Sequence, residues 1–103
     1  MNIPVAAGST DADYLRVFRE ELRPALNRFR PEFILISAGF DALRDDPLSA
    51  MMLTEDGFGA LTSEVMGIAH AHAQGRVVSV LEGGYNLEAT AAAVEAHLCA
   101  MME

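Results

Sequence analysis

The chain has 103 residues, enough for one small domain and no more. Fifteen acids stand against seven Lys plus Arg, a net charge of −8; this excludes a nucleic-acid-binding surface, which needs clustered positive charge, and favours solubility. With 51% hydrophobic residues and a mean hydropathy of +0.20, the chain is apolar for so small a domain, and part of that surface is expected to meet a partner or a second copy.

The single cysteine, Cys99, rules out an intrachain disulfide and suits a reducing compartment. Its Ala and Leu neighbours near a helix end read as the surroundings of a buried structural thiol. No apolar run reaches the length of a membrane span, and Met1-Asn2-Ile3-Pro4 lacks a charged leader followed by an apolar core. A cytoplasmic chain with no membrane partner is the expectation.

In chain order, Ile3 to Gly8 reads as an extended segment interrupted by Pro4 and Gly8. Ser9 and Thr10 offer hydroxyl caps to a helix whose first turn carries Asp11 and Asp13. Leu15, Phe18, Leu22, Leu26 and Phe29 follow at helical spacing, and Pro24 predicts a kink or restart near Leu22. Arg28, Arg30 and Pro31 close that helix.

Phe33 to Ile36 is continuously apolar and suits a strand covered on both faces, as in a parallel sheet. Ser37, Ala38 and Gly39 shrink the side chains where that strand ends. Ligand crevices of open parallel sheets lie outside the carboxyl ends of the strands, which is where Asp41 falls. Ser49 to Leu53 reads as irregular. Thr54 then caps a helix with Phe58, Leu61, Val65, Ile68 and Ala69 as its buried stripe and Gly75 at its end.

Arg76 to Glu82 is a second buried strand, and Gly83-Gly84-Tyr85 leads into a last helix from Leu87 to Met102. Leu87, Ala91, Val94, Leu98 and Met101 lie on one of its faces. A strand, a crossover helix and a strand imply a parallel pair whose ends share one edge, so Asp41 and Tyr85 are expected at one crevice.

Each candidate residue has two readings. Asp41 can cap its own turn, or ligate a metal or act as an acid. Tyr85 can be a surface aromatic, or a hydroxyl donor to a developing oxyanion. Asp45 and Asp46 read as loop-ordering acids, and His70, His72 and His97 as solvent or packing residues on helices. Nucleotide binding at Gly83-Gly84 is the weakest reading, because a G-x-G-x-x-G pattern is lacking.

Taken together, Ile36-Ser37-Ala38-Gly39-Phe40-Asp41-Ala42, Asp46-Pro47-Leu48 and Leu81-Glu82-Gly83-Gly84-Tyr85-Asn86-Leu87 resemble the zinc-dependent histone deacetylase family, which includes acetoin-utilisation and acetylpolyamine amidohydrolases. Asn2-Ile3-Pro4, Gly8, Asp11, Tyr14 and Phe18 are similar to the family's approach to its zinc-binding strand. The resemblance implies an α/β fold, part of a three-layer α-β-α parallel-sheet domain like that of arginase and the deacetylases. It implies Asp41 as a zinc ligand beside an Asp and a His from an Asp-x-His segment, and Tyr85 as the residue that polarises the acetyl carbonyl. It implies Gly83 and Gly84 in the wall of the acyl tunnel and Pro47 and Leu48 at the rim of the substrate channel. Leu43 departs from a His found there in many bacterial members.

The Asp-x-His segment and the adjacent His pair of the family do not occur in these residues. Residues 1–103 are therefore expected to be the C-terminal segment of a deacetylase domain acting on acetyl-lysine or a related acetylated amine, inactive alone. Zn2+ is expected in the intact domain and not tightly on this chain by itself. The expected partners are the substrate and either an amino-terminal portion or a second copy, because a cut sheet leaves its new edge and part of its helix-covered faces bare. The alternative is a non-catalytic small α/β association module.

Overall fold

A computed structural model describes all residues from Met1 to Glu103. The elements are α1 (Asp11–Val17), a π-helical turn (Phe18–Leu22), α2 (Arg23–Phe29), β1 (Ile34–Ala38), α3 (Glu55–His72), β2 (Val77–Leu81) and α4 (Leu87–Met101). Asp13 closes the start of α1 by accepting from the Thr10 N–H at 2.9 Å and the Thr10 hydroxyl at 3.0 Å. The expected break near Leu22 is the π turn, which runs directly into Pro24 in the first turn of α2, where a missing N–H costs least. Arg30 ends α2 in the left-handed conformation, φ 56°.

β1 and β2 form a two-stranded parallel sheet, with Ile34 opposite Val77, Ile36 opposite Ser79 and Ala38 opposite Leu81. α3 is the crossover between them. Its N-terminus is held by two caps: Thr54 accepts from the Gly57 N–H at 3.1 Å, and the Asp11 carboxylate takes the Thr54 N–H at 2.9 Å and its hydroxyl at 2.5 Å. The second cap ties α1 to α3. Farther along, Glu64 of α3 bridges Arg19, at 2.7 Å, and Arg23.

The core lies between β1, α3 and α4, where Ala38, Phe40, Leu43, Ala89 and Ala93 cluster with Ile36, Phe58 and Val94 packed against them. Phe40 meets Phe58 at a centroid distance of 5.0 Å and the His97 ring edge-on at 5.6 Å. A cavity of about 170 Å³ between the π turn, β1 and α3 is lined by Phe18, Ile36, Phe58 and Leu61 among others, and does not reach Asp41 or Tyr85. No helix of the chain is long and apolar enough to cross a membrane.

The strands are covered on one face only, as expected of a sheet cut from a larger domain, whereas their apolar runs alone suited cover on both; two further expectations, on α4 and Cys99, are corrected. Side chains alternate across a strand, so Ile36, Ala38 and Ser79 lie under the helices while Leu35, Val78 and Val80 are 66%, 47% and 49% exposed on the other side. The buried face of α4 is Ala89, Ala93, His97 and Ala100, roughly a third of the way round the helix from the larger apolar stripe. Small residues win there because they let α4 approach α3 closely; a β-carbon at Gly59 would stand 3.4 Å from that of Ala96. Cys99, beside that face, is exposed and not a buried thiol.

His97 shows why a histidine takes a core position. Thr62 donates its hydroxyl proton to the Phe58 carbonyl at 2.7 Å, so its oxygen can only accept from His97 Nδ1, also at 2.7 Å. Nε2 of the neutral ring then accepts from the Ser79 hydroxyl at 2.8 Å. The ring thus pins α3, β2 and α4 together, and burial holds its pKa below the ordinary imidazole value.

Because the folded pKa lies below the unfolded one, this contribution to stability is complete above about pH 6.5 and is lost as the pH falls below it. Denaturant melts from pH 8 to pH 5 should show the loss, and His97→Gln should remove most of that pH dependence. The bare sheet face should bind an apolar-surface dye, and Leu35→Lys with Val80→Lys should abolish the binding without unfolding the helices by circular dichroism.

Candidate active site

The ladder between the strands continues past their ends. The Glu82 N–H donates to the Ala38 carbonyl at 2.9 Å, and the Phe40 N–H donates to the Gly83 carbonyl at 2.8 Å. Two loops therefore leave the sheet side by side at one edge.

Asp41, from the first loop, and Tyr85, from the second, converge on Gly83. A β-carbon at Gly83 would lie 3.0 Å from Asp41 Oδ2 and 3.4 Å from the Tyr85 hydroxyl, so the acid and the phenol border the space that the glycine leaves open. Both side chains are exposed. The pair sets a carboxylate, able to ligate a cation or accept a proton, beside a hydroxyl able to donate to an oxyanion.

Gly84 needs its glycine for a different reason. Its φ of 146° is one that L side chains rarely adopt, and a β-carbon there would stand 2.7 Å from the Thr90 hydroxyl on α4. Its bare side is turned to α4, whereas that of Gly83 is turned to Asp41.

Asp46 is 5% exposed, and its two oxygens join the loops: Oδ1 accepts from the Leu48 N–H and Oδ2 from the Tyr85 N–H, each at 2.8 Å. Asn86 adds a second tie, donating to the Asp45 carbonyl at 3.0 Å while its side-chain oxygen caps α4 at the Ala89 N–H. With the backbone held in this way, Pro47 is exposed and Leu48, 75% exposed, stands free at the loop tip.

The pairing of Asp41 with Tyr85 follows the sequence expectation. Tyr14 was not foreseen. Burial first, and the Asp41 carboxylate second, push its phenol above the ordinary range. The histidines stay out of the site: His97 is in the core, His72 pairs with Asn27 at 2.9 Å, and the ring of His70 lies against Gly75. Leu43, only 1% exposed, is a core residue.

A catalytic zinc is held by three protein side chains. Asp41 fits as one of them, since its carboxylate is exposed at the edge where both strands end. No three His, Cys, Asp or Glu side chains of the chain are grouped to hold a metal ion, so these residues do not by themselves make a zinc site.

Residues 1–101 match the model of the histone deacetylase domain. A probable deacetylase of Archaeoglobus fulgidus is 41% identical over 88 residues, which is 85% of this chain and 24% of that protein. A histone deacetylase-like amidohydrolase of Pseudomonas aeruginosa is 43% identical over 86 residues, 84% of this chain and 23% of that protein. Among solved structures, the histone deacetylase Clr3 superposes with a TM-score of 0.90 at 33% identity, covering 99% of this chain and 17% of that one. The chain belongs to the histone deacetylase family, and its architecture is a part of the deacetylase fold. It spans about a quarter of these two relatives' length, and no more than that of others it matches, down to 6% in a type-2 histone deacetylase of Dictyostelium discoideum.

Gly83→Ala should displace the Asp41 carboxylate and the Tyr85 ring from each other. The cost in stability should stay under about 1 kcal/mol, because both clashing groups can swing into solvent. A crystal structure of the variant and a thermal melt check the two parts.

Proposed function

We propose that residues 1–103 are the C-terminal segment of a zinc-dependent deacetylase domain that hydrolyses an acetylated amine such as acetyl-lysine. The observation that carries this reading is the convergence of Asp41 and Tyr85 on Gly83 within the two motifs that resemble the family's site. In the complete domain Asp41 supplies one carboxylate to a zinc ion whose other ligands come from polypeptide outside these residues. The metal, when bound, activates water and polarises the amide.

The chain's own groups then act as follows. Tyr85 donates its hydroxyl to the acyl oxygen, where negative charge builds as the amide carbon becomes tetrahedral. Gly83 leaves the room in which a small acyl group can lie against both Asp41 and Tyr85. Gly84 shapes the turn that forms the wall beside it. Pro47 and Leu48 give the mouth of the crevice an uncharged apolar rim, suited to the alkyl stem of a lysine-like amine. The cell compartment that suits a lone exposed thiol is the reducing cytoplasm.

The 103-residue chain alone should neither retain zinc nor release acetate from acetyl-lysine, and joining it to the amino-terminal remainder of a deacetylase domain should restore both. In the completed protein, Asp41→Ala should lower zinc content and turnover together. Tyr85→Phe should keep the zinc and lower kcat by a hundredfold or more, about 3 kcal/mol of transition-state stabilisation. Elemental analysis and an acetate-release assay on the two variants distinguish these outcomes; turnover by the 103-residue chain alone would overturn the reading.

A further inference from the structure

We propose that Asp46 is the positioning residue for Tyr85, setting where its hydroxyl stands relative to Asp41. The proposal concerns the site read above as a deacetylase site and rests on that reading for its catalytic consequence. Tyr85 follows two glycines, the residues with the widest backbone freedom, and its hydroxyl has no hydrogen bond within the chain to fix it. Its exposed ring is therefore placed by its backbone. Beyond Gly83, whose carbonyl is held by Phe40, the first anchor of that backbone is the Tyr85 N–H itself, donated to Asp46 Oδ2 at 2.8 Å.

Asp46 can serve as an anchor because it is fixed at every polar atom. Its N–H donates to the Leu43 carbonyl at 3.0 Å, its carbonyl accepts from the Ser49 N–H at 3.2 Å, and Oδ1 accepts from the Leu48 N–H at 2.8 Å. Leu43, to which it is tied, is one of the most buried side chains in the molecule. A carboxylate is the side chain that can do this, since both its oxygens accept and neither donates. Asparagine has nearly the same shape but turns an NH2 toward one of the two amide N–H groups, so one tie becomes a donor facing a donor. The position of Tyr85 is thus transmitted from the core, through Leu43 and Asp46, to the second loop.

Two measurements test this. In the 103-residue chain, Asp46→Ala, which removes both acceptors, should speed amide hydrogen exchange at Tyr85 at least tenfold, with the amides of α3 and α4 unchanged. Unchanged exchange at Tyr85, or an equal rise throughout the chain, would overturn the proposal. In the completed domain, Asp46→Ala should lower kcat for acetyl-lysine at least tenfold, and in a Tyr85→Phe background the same change should cost less than twofold. Equal losses in the two backgrounds would mean that Asp46 acts without Tyr85, and the positioning role would fall. If the completed wild-type domain releases no acetate, the deacetylase reading fails, while the exchange measurement still decides whether Asp46 holds Tyr85.

Discussion

Parallel pairing of Ile34–Ala38 with Val77–Leu81 is the constraint on which the rest of the structure depends. A parallel pair cannot be closed by a tight turn, so the chain between the strands must cross over, and α3 does so along the covered face of the sheet. Both strands then finish at one edge, and the ladder carries on through Phe40 and Gly83. A slip of one residue in this register would turn every strand side chain to the opposite face and move Gly83 by about 3.3 Å along β2. Asp41 and Tyr85 would then no longer share the space beside it.

The loops at that edge are ordered by polar groups, not by apolar packing. Buried Asp46 and the side chain of Asn86 bind backbone donors and acceptors of the opposite loop, and Asp11 does the same for the start of α3. Each such carboxylate serves several N–H or O–H donors that would otherwise be left without partners as water is excluded. The loop backbone at that edge is thereby tied at several points while the Asp41 and Tyr85 side chains that project from it stay exposed.

The sheet is two-sided in composition but one-sided in packing. Only 18 of the 103 residues are buried, and Leu35, Val78 and Val80 form an apolar surface opposite the helices. That distribution is what a segment of a larger domain shows, in keeping with a chain that covers a quarter or less of its curated relatives. Apolar runs in a sequence report which faces are suited to burial. They do not report whether the residues that would cover them are at hand, which is why Phe33 to Ile36 suggested a strand covered on both faces.

Local chemistry by itself determined much of this protein: the caps at Thr10 and Thr54, the break before Pro24, both strands, the Gly83-Gly84 turn, and the two motifs at the strand ends. These depend on φ preferences, hydroxyl acceptors and periodicity, which act within a few residues. Only the tertiary structure decided which face of α4 is buried, that Cys99 is exposed and that Asp46 holds Tyr85. Close approach of α4 to α3 rewards alanine over leucine, and His97 gains a core place through hydroxyls contributed by α3 and β2. Such contacts join residues far apart in the chain, and their energies depend on distances that no local spacing encodes.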